Sequence, residues 1–285
     1  MVGGQLRLSS HILKEAMIQK CENMSLAERL FSGWQETMIW SCPQGAMGAV
    51  YASGDASVLA ALGDFCFFAG APEEALARFC PPECSGGIRI LVPRDTGWSE
   101  VIESAYGSRG VKGTRYAFRK TCRGFDLRRL EAFARTLPQG VSLRELNREW
   151  YEECRKDGWC RDFVSLFGSY ERFTQMGLGI LAVKDGEILS GASSYSAYHG
   201  GIEIEVDTRE DRRRQGLARA CAAKLILLCL ERGLMPSWDA ANPASAALAE
   251  QLGFQRAGEY SVYFVEEADD GVSCSGGAGA GDIAF

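Results

Sequence analysis

Histidine is nearly absent from this chain: His11 and His199 are the only two in 285 residues. Transition-metal sites draw mostly on histidine and on closely spaced cysteine. The 11 cysteines are odd in number and scattered, with Cys80 and Cys84 the closest pair. Neither a metal site nor a disulfide framework is written into that spacing, and a reducing, cytoplasmic setting is expected. No apolar run reaches the ~20 residues that a membrane span needs. The opening stretch, MVGGQLRLSSHILKEAM, lacks the basic segment and apolar core of a signal peptide. Positive charge is also short: 31 Lys and Arg stand against 37 Asp and Glu, a net charge of −6. Nucleic acid is thereby disfavoured as a partner, since the Arg212–Arg214 run is too short to offset that balance. A cationic small molecule is favoured.

What is present is an ordinary globular composition, 46% apolar and 24% charged, in a chain long enough for one large or two modest domains. Its organising stretch runs from Gly201 to Ala220. Ile202, Ile204 and Val206 alternate with Glu203, Glu205 and Asp207, the period-two pattern of a strand. A charged turn follows, then Arg213-Arg214-Gln215-Gly216-Leu217-Ala218 leads into a helix that is apolar all round and stops at Gly233. The first N–H groups of such a helix lack partners and carry the positive end of its dipole. Gly216 and the small Ala218 allow a phosphate close to the backbone, and Arg213, Arg214 and Arg219 add charge. The chemistry implied is a diphosphate on a helix N-terminus.

The series Arg213-x-x-Gly216-x-Ala218 after a strand resembles the acetyl-CoA pyrophosphate loop of the GNAT N-acetyltransferase superfamily. The sequel strengthens it: Ser237-Trp238-Asp239-Ala240 reads as the next strand. Asn242-Pro243-Ala244-Ser245 then opens a helix ending at Leu252-Gly253-Phe254. The wording SGASSYS, GGIEIEVDT, CAAKLILLCLERG and PSWDAANPASAALAEQLGF is similar to the zwittermicin A resistance-like GNAT acetyltransferases. The resemblance is strong over 141–264 and looser before that.

It implies an α/β fold in the α+β sense: a C-terminal GNAT domain at 138–265 with a mixed central sheet flanked by helices. Residues 1–137 would form an N-terminal α/β domain, and the Gly/Ser-rich 266–285 a mobile tail. In that first part, 11–30 has helical spacing, while Thr37–Cys42, Met47–Ala52, Asp64–Ala69, Ile88–Val92 and Thr114–Arg119 read as strands. Pro72–Phe79 and Trp98–Tyr106 read as helices. The order strand, helix, glycine, strand over Leu91–Phe118 echoes Trp238–Phe264. The N-terminal half is then either a degenerate GNAT copy without a phosphate loop or an unrelated α/β cap. In the second half, Val141–Leu146 is the first strand, and Asn147–Cys154 and Ser169–Met176 are helices. A hairpin turns over Asp185-Gly186.

The resemblance also implies acetyl-CoA as cosubstrate, without a metal, held by Arg213, Arg214, Gln215, Gly216, Leu217 and Ala218. The backbone of Val206, Asp207 and Thr208 would meet the pantetheine arm, and Asn242 either reaches it or merely caps its helix. Glu203 or Glu205, with Glu203 slightly preferred, would be the general base that drains the proton from an attacking amine. Many relatives carry a tyrosine acid seven residues after the asparagine; Ala249 stands there, leaving Tyr260 and Ser245 as candidates or no acid at all. Ser193, Ser194 and Tyr195 divide between substrate contact and sheet packing. The expected protein is a cytoplasmic monomer or homodimer that acetylates a primary amine of a small molecule, an aminopolyol antibiotic in the narrower reading. It would have no nucleic-acid or membrane partner. A non-catalytic acyl-CoA sensor and a peptide N-acetyltransferase are the alternatives.

Overall fold

The computed structural model describes residues 17–84, 87–156 and 158–266. The first half runs β1 (Ile18–Lys20), α1 (Ser25–Leu30), α2 (Thr37–Ser41), β2 (Ala49–Ser53), β3 (Ser57–Leu62), β4 (Phe65–Gly70), α3 (Glu74–Arg78), β5 (Ile88–Pro93), α4 (Thr96–Tyr106), β6 (Gly110–Phe118) and α5 (Leu127–Arg135). The second runs β7 (Ser142–Glu145), α6 (Arg148–Lys156), α7 (Tyr170–Met176), β8 (Gly179–Lys184), β9 (Glu187–Tyr198), β10 (Gly201–Thr208), α8 (Leu217–Glu231), β11 (Met235–Ser237), β12 (Asp239–Ala240), α9 (Pro243–Leu252) and β13 (Arg256–Glu266).

β3 and β4 are apolar at nearly every position because both of their faces are covered. Leu59, Ala61, Cys66 and Phe68 point into one core with Leu76, Trp98 and Ile102 of α3 and α4. Val58, Ala60, Phe65 and Phe67 point the other way, into the core shared with the second half. Alternation along a strand makes one run of residues serve both. Trp98 and Phe67 are fully buried, so truncation of either to alanine is expected to cost about 3–5 kcal/mol. In the second half the hairpin between β8 and β9 turns on Asp185 and Gly186, both at positive φ (51° and 82°), as a two-residue turn of matching twist requires. α8 buries Leu217, Ala220, Cys221, Ala223, Leu225 and Ile226, among others, which explains its all-round apolar sequence.

The sheets tie the halves together. One is five-stranded, in the order β11-β10-β9-β8-β7; the other is eight-stranded, β1-β2-β3-β4-β5-β13-β6-β12. β13, from the end of the described chain, thus lies between β5 and β6 of the first half. β6 in turn lies between β13 and β12 of the second. The second half thus lends two strands, β12 and β13, to the sheet of the first. The mixed α/β architecture expected from sequence is present.

Two local expectations are corrected. Thr37–Cys42 is not a strand: Thr37–Ser41 forms α2, whose first turn is capped where the Glu36 carboxylate accepts from Met38 N–H. A five-residue apolar run fits a strand or a buried helix equally, and packing against β9 decides it here. The stretch Ser237–Ala240 is not one strand either; it breaks at Trp238, and β11 and β12 enter different sheets. The helix expected over 11–30 lies partly outside the described residues, and its remainder holds β1 and α1. The tail expected from 266 also lies outside them, apart from Glu266 itself.

Candidate active site

The break at Trp238 opens a fork. β11 pairs with β10 in parallel only from Gly201 to Glu203, and then the chain crosses to the other sheet, where Asp239 pairs with Ala117 of β6. β10 continues to Thr208 against β9 alone, so 204–208 carries no second neighbouring strand among the described residues. At the crotch of the fork the β9–β10 register slips between Glu203 and Ile204, because Ser196 faces Glu203 and Ser194 faces Ile204, leaving Tyr195 as the extra residue. That is a bulge, a common way of re-aiming side chains at a site.

Below the open end of the fork, Arg213, Arg214 and Gln215 are exposed and lead into α8. Gly216 is the N-cap at φ 81°, and no side chain caps the helix. A Cβ at Gly216 would meet only the Arg219 side chain, at 3.6 Å, so the approach to the first N–H groups is open. Leu217 is buried and anchors the turn, and Ala218 keeps it narrow. These features suit a diphosphate. Arg213 Nε donates to the Thr208 carbonyl at 3.3 Å, and Thr208 N–H donates to Asp207 Oδ1 at 2.6 Å. Of the three residues expected to meet a pantetheine arm, Thr208 therefore has its main chain engaged internally, and the Asp207 carbonyl accepts from Ser190 Oγ at 2.9 Å. Arg219 lies beside Gly216, with its guanidinium 4.7 Å from the centroid of the Phe133 ring. Asn242 is exposed and caps α9 through Oδ1, accepting from Ser245 N–H at 2.9 Å.

Glu203 lies at the crotch, 3% exposed. Its Oε2 accepts from the Thr37 hydroxyl and lies 3.5 Å from Lys120 Nζ, while Oε1 has no hydrogen-bond partner among the described residues. Burial raises its pKa, against the pull of Lys120 and Thr37. Next to it, Arg115 Nε donates to Asp239 Oδ1 at 2.6 Å, and the Tyr260 hydroxyl donates to Asp239 Oδ2 at 2.7 Å. Burial, reinforced by Asp239, holds the Tyr260 phenol well above its usual range. Ser245 Oγ accepts from Trp238 Nε1 at 3.2 Å. Ser193 and Ser194 are fully buried and donate to main-chain carbonyls, Ser193 to Phe163 at 2.6 Å and Ser194 to Leu178 at 3.2 Å.

Glu205, half-buried two residues further along, sits in a region of negative charge. Burial pushes its pKa to about 8, with Asp162 and Asp207 adding to the shift and Arg115 opposing it. Asp64, in the β3–β4 turn, is raised to about 6 by burial and by Asp162. The turn comes in close: a Cβ on Gly63 would collide with the Tyr195 hydroxyl. Sequence reasoning missed Glu36, Thr37, Asp64, Arg115, Lys120 and Asp162. No local signal marks them, because they reach β10 only through the fold; Thr37 meets Glu203 across 166 residues of chain.

Comparison with known proteins follows the same lines. The family model described as GNAT acetyltransferase matches residues 28–263. An uncharacterised N-acetyltransferase of Bacillus subtilis (strain 168), YdfB, is 30% identical over 149 residues, 47% of this chain. The match spans 52% of that relative's length. The crystal structure of a GCN5-related N-acetyltransferase-like protein from Streptococcus suis 89/1591 is 43% identical, covers 84% of this chain and 97% of its own, and superposes with a TM-score of 0.78. A GCN5-related N-acetyltransferase from Sphaerobacter thermophilus shares the fold at 13% identity and a TM-score of 0.55, over 88% of this chain and 95% of its own.

Proposed function

The chain belongs to the GNAT acetyltransferase family, and from that premise we propose that it moves the acetyl group of acetyl-CoA directly to a primary amine of a small molecule. The observation that carries the reading is the uncapped start of α8 behind Gly216, set at the mouth of the fork between β10 and β12. Arg213, Arg214, Gln215, Gly216, Leu217 and Ala218 would hold the diphosphate. The open edge of β10 at Val206 and Asp207 would take the pantetheine arm, with Asn242 across the fork. The thioester supplies an acyl carbon open to a neutral amine. Glu203 is the base: it stands at the crotch with Oε1 unengaged, and its raised proton affinity suits a group that must take a proton near neutral pH.

Asp64, Asp162 and Asp207 make the acceptor side negative, which draws a protonated amine from solution before it gives up its proton, while Glu205, held up at about 8 by burial, is mostly uncharged at neutral pH. Ala249 is fully buried and the Tyr260 hydroxyl donates to Asp239, whereas Ser245 Oγ only accepts, from Trp238, so in this reading the thiolate either leaves unprotonated or takes its proton from Ser245. An aminopolyol antibiotic is the acceptor class we favour, giving a detoxifying role. The N-terminal half is a degenerate copy of the same fold that covers the acceptor side; the like order of β5-α4-β6 and β12-α9-β13 supports that.

The test is thiol release from acetyl-CoA against a panel of aminopolyols, aminoglycosides, simple amines and peptides. Release that depends on an aminopolyol is expected. Acetyl-CoA binding with silence on every amine would favour a non-catalytic sensor instead.

A further inference from the structure

A base as deeply buried as Glu203 must pass on each proton it takes before it can serve again. Two side chains of the N-terminal half stand on the way out. Lys120, just past the end of β6, places Nζ 3.5 Å from Glu203 Oε2, 3.8 Å from Glu36 Oε2 and 3.3 Å from the Trp238 carbonyl oxygen. Its side chain is 1% exposed. Glu36 and Lys120 both border a cavity of about 790 Å³, walled also by Trp34, Arg123 and Tyr260. Glu203 is not among the cavity's lining residues, so Lys120 and Glu36 form the link between them.

The groups facing this link come from every neighbouring element: Thr37 from α2, Tyr198 from β9, Asp239 from β12, and Arg115 and Tyr260 beyond Asp239. Three carboxylates, Glu36, Glu203 and Asp239, are set against two cations, Lys120 and Arg115. A buried cluster with one surplus negative charge retains a proton. Burial holds the Glu36 carboxyl up at about 8, against the pull of Lys120 and with Glu203 adding to it.

We infer that Lys120 and Glu36 are positioning residues that carry the proton of each turnover from Glu203 to the cavity. Glu36 releases its proton to water in the cavity and, once ionised, takes one from the Lys120 ammonium. Glu203 and Glu36 hold the Lys120 ammonium protonated, so the two transfers are concerted: as one Lys120 N–H proton passes to Glu36, the Glu203 O–H bond breaks and a new N–H bond forms. Protons balance, no electrons are transferred, and Glu203 returns to its ionised form. The inference rests on Glu203 being the base.

The experiment follows the first and later turnovers of thiol release separately, with acetyl-CoA and the fastest amine of the panel. Glu36→Gln keeps an acceptor for Met38 N–H but has no proton to release. Lys120→Arg keeps the charge and the ion pairs but does not deprotonate. In both, the first equivalent of thiol is expected at the wild-type rate. Later turnovers should be on the order of 10-fold to 100-fold slower and be partly restored by imidazole, a small carrier that titrates near neutrality. A purely structural role would slow the first turnover as well and would not respond to imidazole. That result, or steady-state rates equal to wild type in both variants, would overturn the relay. Glu203→Gln separates the two layers. A normal first turnover in it would remove Glu203 as the base, whereas a slow one beside a relay that shows no burst would leave the base in place and sink only the relay.

Discussion

The molecule holds two strand–helix–strand crossovers of the same kind, and in the reading proposed above only one of them holds an anion. In the first half, β4 passes through α3 to the parallel β5; in the second, β10 passes through α8 to the parallel β11. β4 stays zipped to β5 from Phe65 to Phe68, and the space beyond is filled by packing such as Phe68 on Trp98, with centroids 5.0 Å apart. β10 is released from β11 after Glu203. α3 has 5 residues and opens with Glu73 and Glu74, whereas α8 has 15 and opens with glycine behind two arginines. Acidic side chains at a helix N-terminus occupy the positive end that an anion would need. In that reading a crossover takes a phosphate through three separate choices: helix length, loop charge and strand release. The first half makes none of them.

The largest expected effect is at the crotch of the fork. Glu203→Gln should lower kcat by about 10²-fold to 10⁴-fold with acetyl-CoA affinity retained, read from steady-state rates and calorimetry. Next is the loop: Gly216→Asp places a carboxylate where the diphosphate is expected, and should weaken acetyl-CoA binding by about 100-fold or more. Its fold should survive, because the new Cβ meets only a flexible arginine, although φ 81° adds strain of about 1–3 kcal/mol. Circular dichroism and a melting curve check that.

A smaller effect concerns pH. Burial pushes the Glu205 carboxyl up to about 8 in the folded protein, against roughly 4.3 for a free glutamate. The folded state therefore binds more protons than the unfolded one between those values, and stability falls as pH rises across that window. Glu205→Gln should flatten the dependence and raise Tm at pH 8 while leaving it nearly unchanged at pH 4. The smallest effect is the control in the other half: Glu74→Lys should add no acetyl-CoA affinity, since α3 has neither the length nor the open strand edge.

Much of the second half was legible in the sequence because its signals are local. Alternation marked β10, Asp185-Gly186 marked the hairpin, and all-round apolarity followed by Gly233 marked α8. The loop from Arg213 to Ala218 is readable for the same reason: its chemistry and its spacing lie in one stretch. The surroundings of Glu203 were not readable. Lys120 is 83 residues away and ends a strand that, in sequence, resembles any other edge. Thr37 sits in a run that reads equally well as strand or helix. The insertion of β13 between β5 and β6 is likewise a long-range pairing that no periodicity records.

We propose that one crossover, and only one, takes acetyl-CoA. Calorimetric titration of acetyl-CoA into the wild-type protein and into Gly216→Asp tests it most directly. One molecule bound per chain, lost in the variant, is the predicted result. Binding that survives in Gly216→Asp, or two equivalent sites per chain, would contradict it.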